Sequence, residues 1–187
     1  FMALTVDWSA LAERAFFLAG GYKYAMAGEG ACFMHCPPGH GARPVVTGWF
    51  AGFDDLADAR QAVSYAADGM RFAGATFDPT PWYRFNAVQD WLEALELSPE
   101  VIHAHVAELQ QQFLDGLPDG SLAPHQLIPG KGCSRGNFLT FRTDQAGAIH
   151  DQLAAKQVVT DVRGDRLRFG FGLYHSQADV DALLARL

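Results

Sequence analysis

The residue best placed for covalent chemistry is Lys23, in the middle of the stretch GGYKYAMAGEG at residues 20–30. One short apolar run, AFFLA at 15–19, precedes this stretch, and a second, beginning ACFM at 31–34, follows it. Both runs are typical of buried strands, so we expect Lys23 at the edge of a core. An amine beside apolar walls loses hydration, which favours the neutral form that acts as a nucleophile or forms a Schiff base. The alternative is a lysine that carries its charge from a strand end into water.

Four glycines flank this lysine, at positions 20, 21, 28 and 30. Because glycine has no Cβ, these positions would let the backbone approach a bulky partner closely.

A metal site is the other chemistry to consider here, because two cysteines and two histidines lie between residues 32 and 40. They have no second ligand pair at zinc spacing, and strand alternation places His35 opposite Cys32 and Cys36. We therefore expect no metal. The three cysteines of the chain, an odd number, favour reduced thiols over a disulfide framework.

The elements around Lys23 follow from local patterns. A short helix over 7–14, capped by Asp7 or Ser9, leads into the first strand. The second strand covers 31–36 and ends at the PPGHG run. Beyond it we predict an extended piece at 44–47, a short acidic helix or loop at 54–68, and a strand at 70–77.

From Pro79 onward the pattern is that of long helices. Thr80 can cap the first, whose apolar stripe is Trp82, Phe85, Val88, Trp91, Leu92 and Leu95. Ser98 caps the second, whose apolar set is Val101, Ile102, His105, Leu109 and Phe113.

The last fifty residues alternate between strands and helices. Strands are predicted at 137–142, 158–162 and 167–171, and helices at 147–156 and 176–187. Ser176 caps the final helix, with Asp179 three residues further on. This alternation predicts a small α/β sandwich.

The net charge of −7 and the scattered Lys and Arg residues argue against a surface for nucleic acid or anionic membranes. No apolar run reaches the roughly 18 residues of a membrane span, and no signal-peptide pattern occurs. We therefore expect a cytoplasmic protein that binds neither nucleic acid nor a membrane.

The GYKY sequence at 21–24, followed by Gly28 and Gly30, resembles the cofactor-lysine segment of class V, fold-type I pyridoxal-phosphate enzymes. Its Tyr-Lys-Tyr form is most similar to kynureninases. The resemblance implies that Lys23 holds pyridoxal 5'-phosphate as an aldimine. It also implies that Tyr22 hydrogen-bonds the phosphate or relays a proton; the alternative for Tyr22 is a core tyrosine.

Two further segments are similar to the same class. TGWF at 47–50 resembles the kynureninase Gly-Trp-Phe-Gly-His stretch, without its histidine, which implies that Trp49 reaches the cofactor phosphate across a dimer interface. RFAGAT at 71–76 resembles the Arg-Phe-x-x-Gly-Thr segment with one residue extra, which implies a phosphate contact from Thr76 of the partner subunit. The resemblance thus predicts a homodimer.

A third block, VVTDVR at 158–163 and RLRFG at 166–170, is similar to the end of class V enzymes. By position it implies that Arg168 takes the α-carboxylate of an amino-acid substrate, because a guanidinium binds a carboxylate through two parallel hydrogen bonds. We expect the apolar Leu167, Phe169 and Phe171 to strengthen the pair, and Arg163 to be the more exposed arginine. The alternative is a surface arginine on an edge strand.

Cysteine desulfurases are relatives of this class. Their nucleophilic cysteine is expected to follow the carboxylate arginine, where this chain has Phe171, Gly172 and Leu173. Desulfurase chemistry is therefore disfavoured.

Together the resemblances predict an α/β protein: residues 1–78 as the end of a fold-type I large domain, and 79–187 as a small α/β C-terminal domain with linking helices. Because the cofactor lysine comes so early, we expect the C-terminal half of a longer enzyme. The predicted activity is that of a class V aminotransferase, a transferase or lyase acting on an amino acid. The alternatives are a kynureninase-type C–C hydrolase and a non-catalytic remnant of the fold.

Overall fold

The computed structural model describes residues 8–57, 64–120, 122–130, 132–133 and 135–187. Asp7, and positions 58–63 of the predicted acidic helix or loop, lie outside these residues. The chain divides into two compact units, one ending at Trp91 and the other running from Leu92 to Leu187. No helix among the described residues is long and apolar enough to cross a membrane.

The first unit is built on one hairpin. Helix α1 (Ser9–Ala12) precedes strand β1 (Phe17–Gly20), which pairs antiparallel with β2 (Cys32–His35). The register places Gly20 opposite Cys32, so the residues between them close the hairpin. The other elements among its described residues are two 3₁₀ helices, Trp49–Asp55 and Gly69–Phe72, and helix α2, Thr80–Ala94.

The prediction that the two strands are buried is wrong for the chain described. No residue of β1 or β2 is fully buried, and Leu18 is 72% exposed. A two-stranded sheet can bury little by itself, so the apolar runs predict the strands but not their burial. The buried side chains described in this unit are instead small: Ala25, Ala27, Ala31, Pro37 and Ala51.

The predicted strand at 70–77 is also wrong. Its first residues form the 3₁₀ helix Gly69–Phe72, because the carboxylate of Asp68 accepts a hydrogen bond from the Met70 N–H at 2.9 Å and caps the turn. The extended piece predicted at 44–47 consists of bends. At α1 the N-cap is Trp8, with Ser9 inside the helix.

Helix α2 begins where it was predicted, but with a different cap. The Asp78 carboxylate, not the side chain of Thr80, accepts from the Thr80 N–H at 2.9 Å. Of the predicted stripe, Leu92 is buried and three residues are half-buried, whereas Trp91 and Leu95 are exposed.

The described residues of the second unit form a three-stranded antiparallel sheet, three α-helices and a 3₁₀ helix, Pro124–Gln126. Its order is β3-β5-β4, so β5 is the central strand. Because strands and helices alternate along the chain, this unit confirms the predicted α/β class. The elements are α3 (Pro99–Asp115), β3 (Phe138–Arg142), α4 (Ala146–Ala155), β4 (Asp161–Arg163), β5 (Arg166–Gly170) and α5 (Gln177–Leu184).

The core of this unit is aromatic. The Phe113 ring of α3 lies 4.9 Å from Phe169 and 6.4 Å from Phe141, centroid to centroid. On α3 the buried stripe includes Val106, which the prediction omitted, and excludes Val101, which is 48% exposed. The strand predicted at 158–162 begins only at Asp161, since Val159 is 97% exposed.

Both predicted caps of the second unit are confirmed. The Ser98 hydroxyl accepts from the Val101 N–H at 3.3 Å. Ser176 and Asp179 form a reciprocal capping box at the start of α5.

Candidate functional site

Lys23 lies in the turn that closes the hairpin between β1 and β2. Its carbonyl accepts a hydrogen bond from the Met26 N–H at 2.9 Å, which keeps the turn tight. The side chain is exposed, and its Nζ lies 5.5 Å from the centroid of the Tyr22 ring. The position between two strands is confirmed, whereas the apolar walls expected around the amine are absent from the described chain.

The loop that carries Lys23 is fixed at its base by backbone hydrogen bonds. The Gly21 N–H donates to the carbonyl of Ala31 at 2.7 Å, and the Ala27 N–H donates to the carbonyl of Gly21 at 2.9 Å. A Cβ at position 21 would lie 3.0–3.2 Å from atoms of Phe85, Ala27 and Ala31, so a larger residue there would require these neighbours to shift.

Arg84 holds the far side of the same loop, and sequence reasoning missed it. From the first turns of α2, its Nη2 donates to the Glu29 carbonyl at 2.7 Å and its Nε donates to the Ala27 carbonyl. These acceptors are backbone atoms more than fifty residues away along the chain. No local spacing in the sequence marks such a contact.

Two glycines of the loop allow helix α2 to pack closely against it. Gly28 and Gly30 have φ angles of 68° and 94°, which favour glycine. A Cβ at Gly28 would lie 2.9 Å from the Arg84 Nε, and one at Gly30 would lie 2.6 Å from the Pro81 Cγ. The bulky partner expected for these two glycines is therefore helix α2 of the same chain.

Tyr22 is half-exposed, so its alternative interpretation as a core tyrosine does not fit the described chain. Its ring covers Gly20, where a Cβ would lie 2.7 Å from the Tyr22 Cε1. No described residue hydrogen-bonds its hydroxyl.

Trp49 and Thr76 lie on segments that the structure joins side by side. The Phe50 N–H donates to the Gly74 carbonyl at 3.0 Å, and the Thr47 hydroxyl donates to the Ala73 carbonyl at 3.2 Å. Trp49 stacks against Phe50 with centroids 4.5 Å apart, yet it remains half-exposed, and Thr76 is exposed. The Trp49 indole N–H and the Thr76 hydroxyl have no hydrogen-bond partner within the described ranges.

Arg71, the first residue of the block that contains Thr76, has a structural role. Its guanidinium donates to the carbonyls of Gly41 at 2.9 Å, His40 at 3.3 Å and Asp68 at 2.5 Å. These bonds tie the 3₁₀ helix to the PPGHG loop. The Arg71 guanidinium is therefore already hydrogen-bonded to backbone oxygens.

Arg168 lies on the central strand β5, directly opposite Thr140 on one side and Asp161 on the other. Its Nε lies 3.1 Å from the Asp161 Oδ2, and its Cζ lies 5.8 Å from the centroid of the Phe138 ring. The edge-strand alternative is therefore wrong.

The apolar surroundings expected for Arg168 are also wrong. Leu167 and Phe169 are buried, but side chains alternate along a strand, so both lie on the opposite face. The expected difference between the two arginines is confirmed: the Arg163 side chain is 70% exposed and that of Arg168 is 37% exposed.

The hairpin unit thus contains Lys23, Tyr22, Trp49 and Thr76, and the sheet unit contains Arg168. Cys32, Cys36 and Cys133 are all free thiols. No three His, Cys, Asp or Glu side chains of the described chain are grouped as a metal site requires.

Comparisons with family models and solved structures identify the class of enzymes whose fold this chain has. Residues 102–187 match the family model of the kynureninase C-terminal domain. A complex between the cystine C-S lyase C-DES and its reaction product cysteine persulfide superposes with a TM-score of 0.74 at 17% identity, over 99% of this chain and 49% of that chain. The chain has the fold of class V, fold-type I pyridoxal-phosphate enzymes.

Two other structures share this class V fold. A lysine-to-alanine variant of C-DES, with glycine covalently linked to its PLP cofactor, gives a TM-score of 0.72 at 19% identity, over 99% of this chain and 48% of that chain. The cysteine desulfurase CsdA from Escherichia coli superposes with a TM-score of 0.53 at 16% identity, over 67% of this chain and 35% of that chain. A search of curated proteins finds no match. The chain spans about half the length of the two C-DES structures.

Proposed function

We propose that this protein is a pyridoxal-phosphate-dependent enzyme that acts on an amino acid, with Lys23 as the residue that binds the cofactor. The observation that carries the proposal is the Lys23 amine, exposed on a turn and without a hydrogen-bond or ion-pair partner among the described residues. The chain has only two other lysines. Lys156 donates to the Arg186 carbonyl at 2.6 Å, and Lys131 lies outside the described residues.

The donor groups of the hairpin unit fit this cofactor. Pyridoxal phosphate presents an aldehyde and a phosphate, which need an amine and hydrogen-bond donors. Lys23 would hold the aldehyde carbon covalently. The indole N–H of Trp49, the hydroxyl of Thr76 and the phenol of Tyr22 all lack partners in the described chain, so each is available to a phosphate oxygen. When bound, the cofactor supplies an electron sink for a carbanion at the substrate α-carbon.

The substrate side of the proposal rests on Arg168. Its Nε lies beside Asp161, and neither terminal amino group has a hydrogen-bond partner among the described residues. Two such groups would donate hydrogen bonds to the α-carboxylate that all amino-acid substrates share. Lys23 would then move the proton at the α-carbon as a general base.

We propose that Trp49 and Thr76 act on the cofactor of a second subunit. The support is their exposure, together with that of neighbouring apolar side chains: Val45, Val46, Phe53 and Phe77. An apolar patch of this kind suits an interface between copies of the chain.

Two reactions are candidates. Transamination is the one predicted from the sequence. Kynureninase-type C–C hydrolysis is the second, because residues 102–187 match the kynureninase C-terminal domain. Conversion of an amino acid to its 2-oxo acid would support the first, and release of alanine from kynurenine would support the second.

Borohydride trapping tests the proposal. The full-length protein, incubated with pyridoxal phosphate and reduced, should carry a pyridoxyl group on Lys23 by peptide mapping. Lys23→Ala should lose the label, and Lys156→Ala should keep it. A label on Lys131 or Lys156 would contradict the assignment, and the absence of any label would favour the non-catalytic remnant.

A further inference from the structure

Two aspartates of the β4–β5 hairpin each bridge two arginines. Asp161 lies 3.1 Å from the Nε of Arg168 and 3.2 Å from the Nε of Arg163. Asp165 lies 3.5 Å from the Nε of Arg142 and 3.7 Å from a terminal nitrogen of Arg166. The chain therefore contains two similar carboxylates, of which only Asp161 contacts Arg168.

We infer that Asp161 is a positioning residue: it holds the Nε edge of Arg168 so that both terminal amino groups stay available to the substrate carboxylate. The inference rests on the proposed function, in which Arg168 is the carboxylate anchor. A guanidinium has one Nε edge and one edge formed by its terminal nitrogens, and a carboxylate can engage either. When Asp161 lies at the Nε edge, the edge formed by the terminal nitrogens stays available to the carboxylate of the substrate.

The strand register keeps Asp161 next to Arg168. Asp161 on β4 and Thr140 on β3 are the direct cross-strand partners of Arg168 on β5, and directly opposed side chains lie within contact distance. The Phe138 ring, 5.8 Å from the Arg168 Cζ, limits the side chain from the β3 side. All three strands of the sheet therefore restrict this one arginine.

If Asp161 acts by positioning Arg168, its neutralisation should weaken the binding of a carboxylate. If it acts only through its charge, its neutralisation should strengthen that binding. As a charge, Asp161 offsets the positive potential of Arg168, so its removal would strengthen the binding of any anion. As a positioning group, its removal frees the Nε edge and the rotamers of Arg168, which weakens bidentate binding. The sign of the change separates the two roles.

Asp165 is the matched control. Its side chain is 45% exposed, as is that of Asp161, and it bridges two arginines on the same sheet. Asp165→Asn removes the same charge from the same hairpin without touching a contact of Arg168. A purely electrostatic effect would therefore appear, in the same direction, in both variants.

The test compares two small amines on the full-length protein loaded with pyridoxal phosphate. Glycine carries a carboxylate and methylamine does not, so the ratio of their dissociation constants, read from the cofactor absorbance, measures the carboxylate contact. Asp161→Asn should reduce the preference for glycine about fivefold, the scale of one partly exposed ion pair. Asp161→Glu should restore part of it, and Asp165→Asn should leave it unchanged or slightly larger.

The outcomes separate the two proposals. If the parent shows no preference for glycine, the carboxylate anchor fails and the positioning role fails with it. If the parent prefers glycine and Asp161→Asn keeps or increases that preference, only the positioning role is overturned.

A second readout needs no cofactor. In ¹⁵N relaxation measurements on the full-length protein, the order parameter of the Arg168 Nε–H should be lower in Asp161→Asn than in the parent or in Asp165→Asn, because the ion pair with Asp161 restricts the side chain. Equal order parameters in all three proteins would overturn the inference.

Discussion

The guanidinium of Arg84 donates to the carbonyl of Glu29 at 2.7 Å, which joins helix α2 to the loop carrying Lys23. A second bond from the same group reaches Ala27. The glycine between them, Gly28, has no Cβ to block this approach. The loop of the proposed cofactor lysine is thus held by its backbone hydrogen bonds and by one arginine that has no role in the chemistry.

Arg84→Lys should loosen this loop. Lysine keeps the charge but cannot donate to two carbonyls in a fixed fork, so about 2 kcal/mol of local hydrogen bonding should be lost. Hydrogen exchange by mass spectrometry should then show the amides of Met26 and Ala27 opening roughly thirtyfold faster. Arg163→Lys, the same change at an exposed site, should leave them unaffected. Unaltered exchange in Arg84→Lys would show that the loop is held by its own backbone bonds alone.

Arg168→Lys should damage substrate use and spare cofactor binding. The loss of a charge-assisted bidentate pair should lower kcat/KM by about 2 to 4 kcal/mol, roughly thirty- to a thousand-fold. The borohydride-fixed label on Lys23 should remain, because the cofactor does not depend on this guanidinium. Arg163→Lys should cost much less. A change within about threefold for Arg168→Lys would indicate that the carboxylate is held elsewhere.

Trp49 should act in the site of a neighbouring subunit. The cofactor-loaded protein should sediment as a homodimer, and dimers mixed from Lys23→Ala and Trp49→Ala chains should recover activity. Each mixed dimer would contain one intact site, so an equal mixture should reach roughly a quarter of parent activity. A fully active monomer, or mixed dimers as inactive as either variant, would refute the shared site.

Phe113 should be among the most costly side chains to truncate in the second unit. It is fully buried between Phe141, Phe169 and Phe171. Phe113→Ala should lower the free energy of unfolding by about 3 to 5 kcal/mol. Val101→Ala, on the exposed face of the same helix, should change it by less than about 0.5 kcal/mol. Denaturant titration measures both, and similar costs would contradict the described core.

The start of α5 should contribute stability that is lost in acid. The Ser176 N–H and hydroxyl both donate to the Asp179 carboxylate at 2.7 Å and lower the pKa of Asp179 below its usual value of 3.8. The pKa of Asp179 is lower in the folded chain than in the unfolded chain. The stability that its carboxylate contributes is therefore complete above the unfolded pKa and is lost as the pH falls through the folded pKa.

Asp179→Asn should therefore be less stable than the parent at pH 6, and the difference should shrink as the pH falls below 3.8. Thermal unfolding of both proteins across this range measures the difference. A gap that stays constant down to pH 3 would show that the carboxylate charge plays no part in the cap.

Local patterns in the sequence determined most of the elements of the second unit and two of its helix caps. The caps at Ser98 and Ser176 lie where they were predicted, because a cap needs only a side chain and an N–H three residues away. The two strands around Lys23 and the strand that carries Arg168 also follow from short apolar runs, whereas the central place of the Arg168 strand does not. The class V fold was identified from motifs of the same kind and is confirmed.

Only the tertiary structure decided what surrounds those elements. The exposure of Lys23, the Asp161 partner of Arg168 and the Arg84 contact with the Lys23 loop depend on strand pairing and on atoms far apart in the chain. Backbone carbonyls, which accept most of these bonds, are the same in every residue, so the sequence cannot mark which of them an arginine will reach. Side-chain periodicity predicts a strand but does not reveal whether another layer covers it.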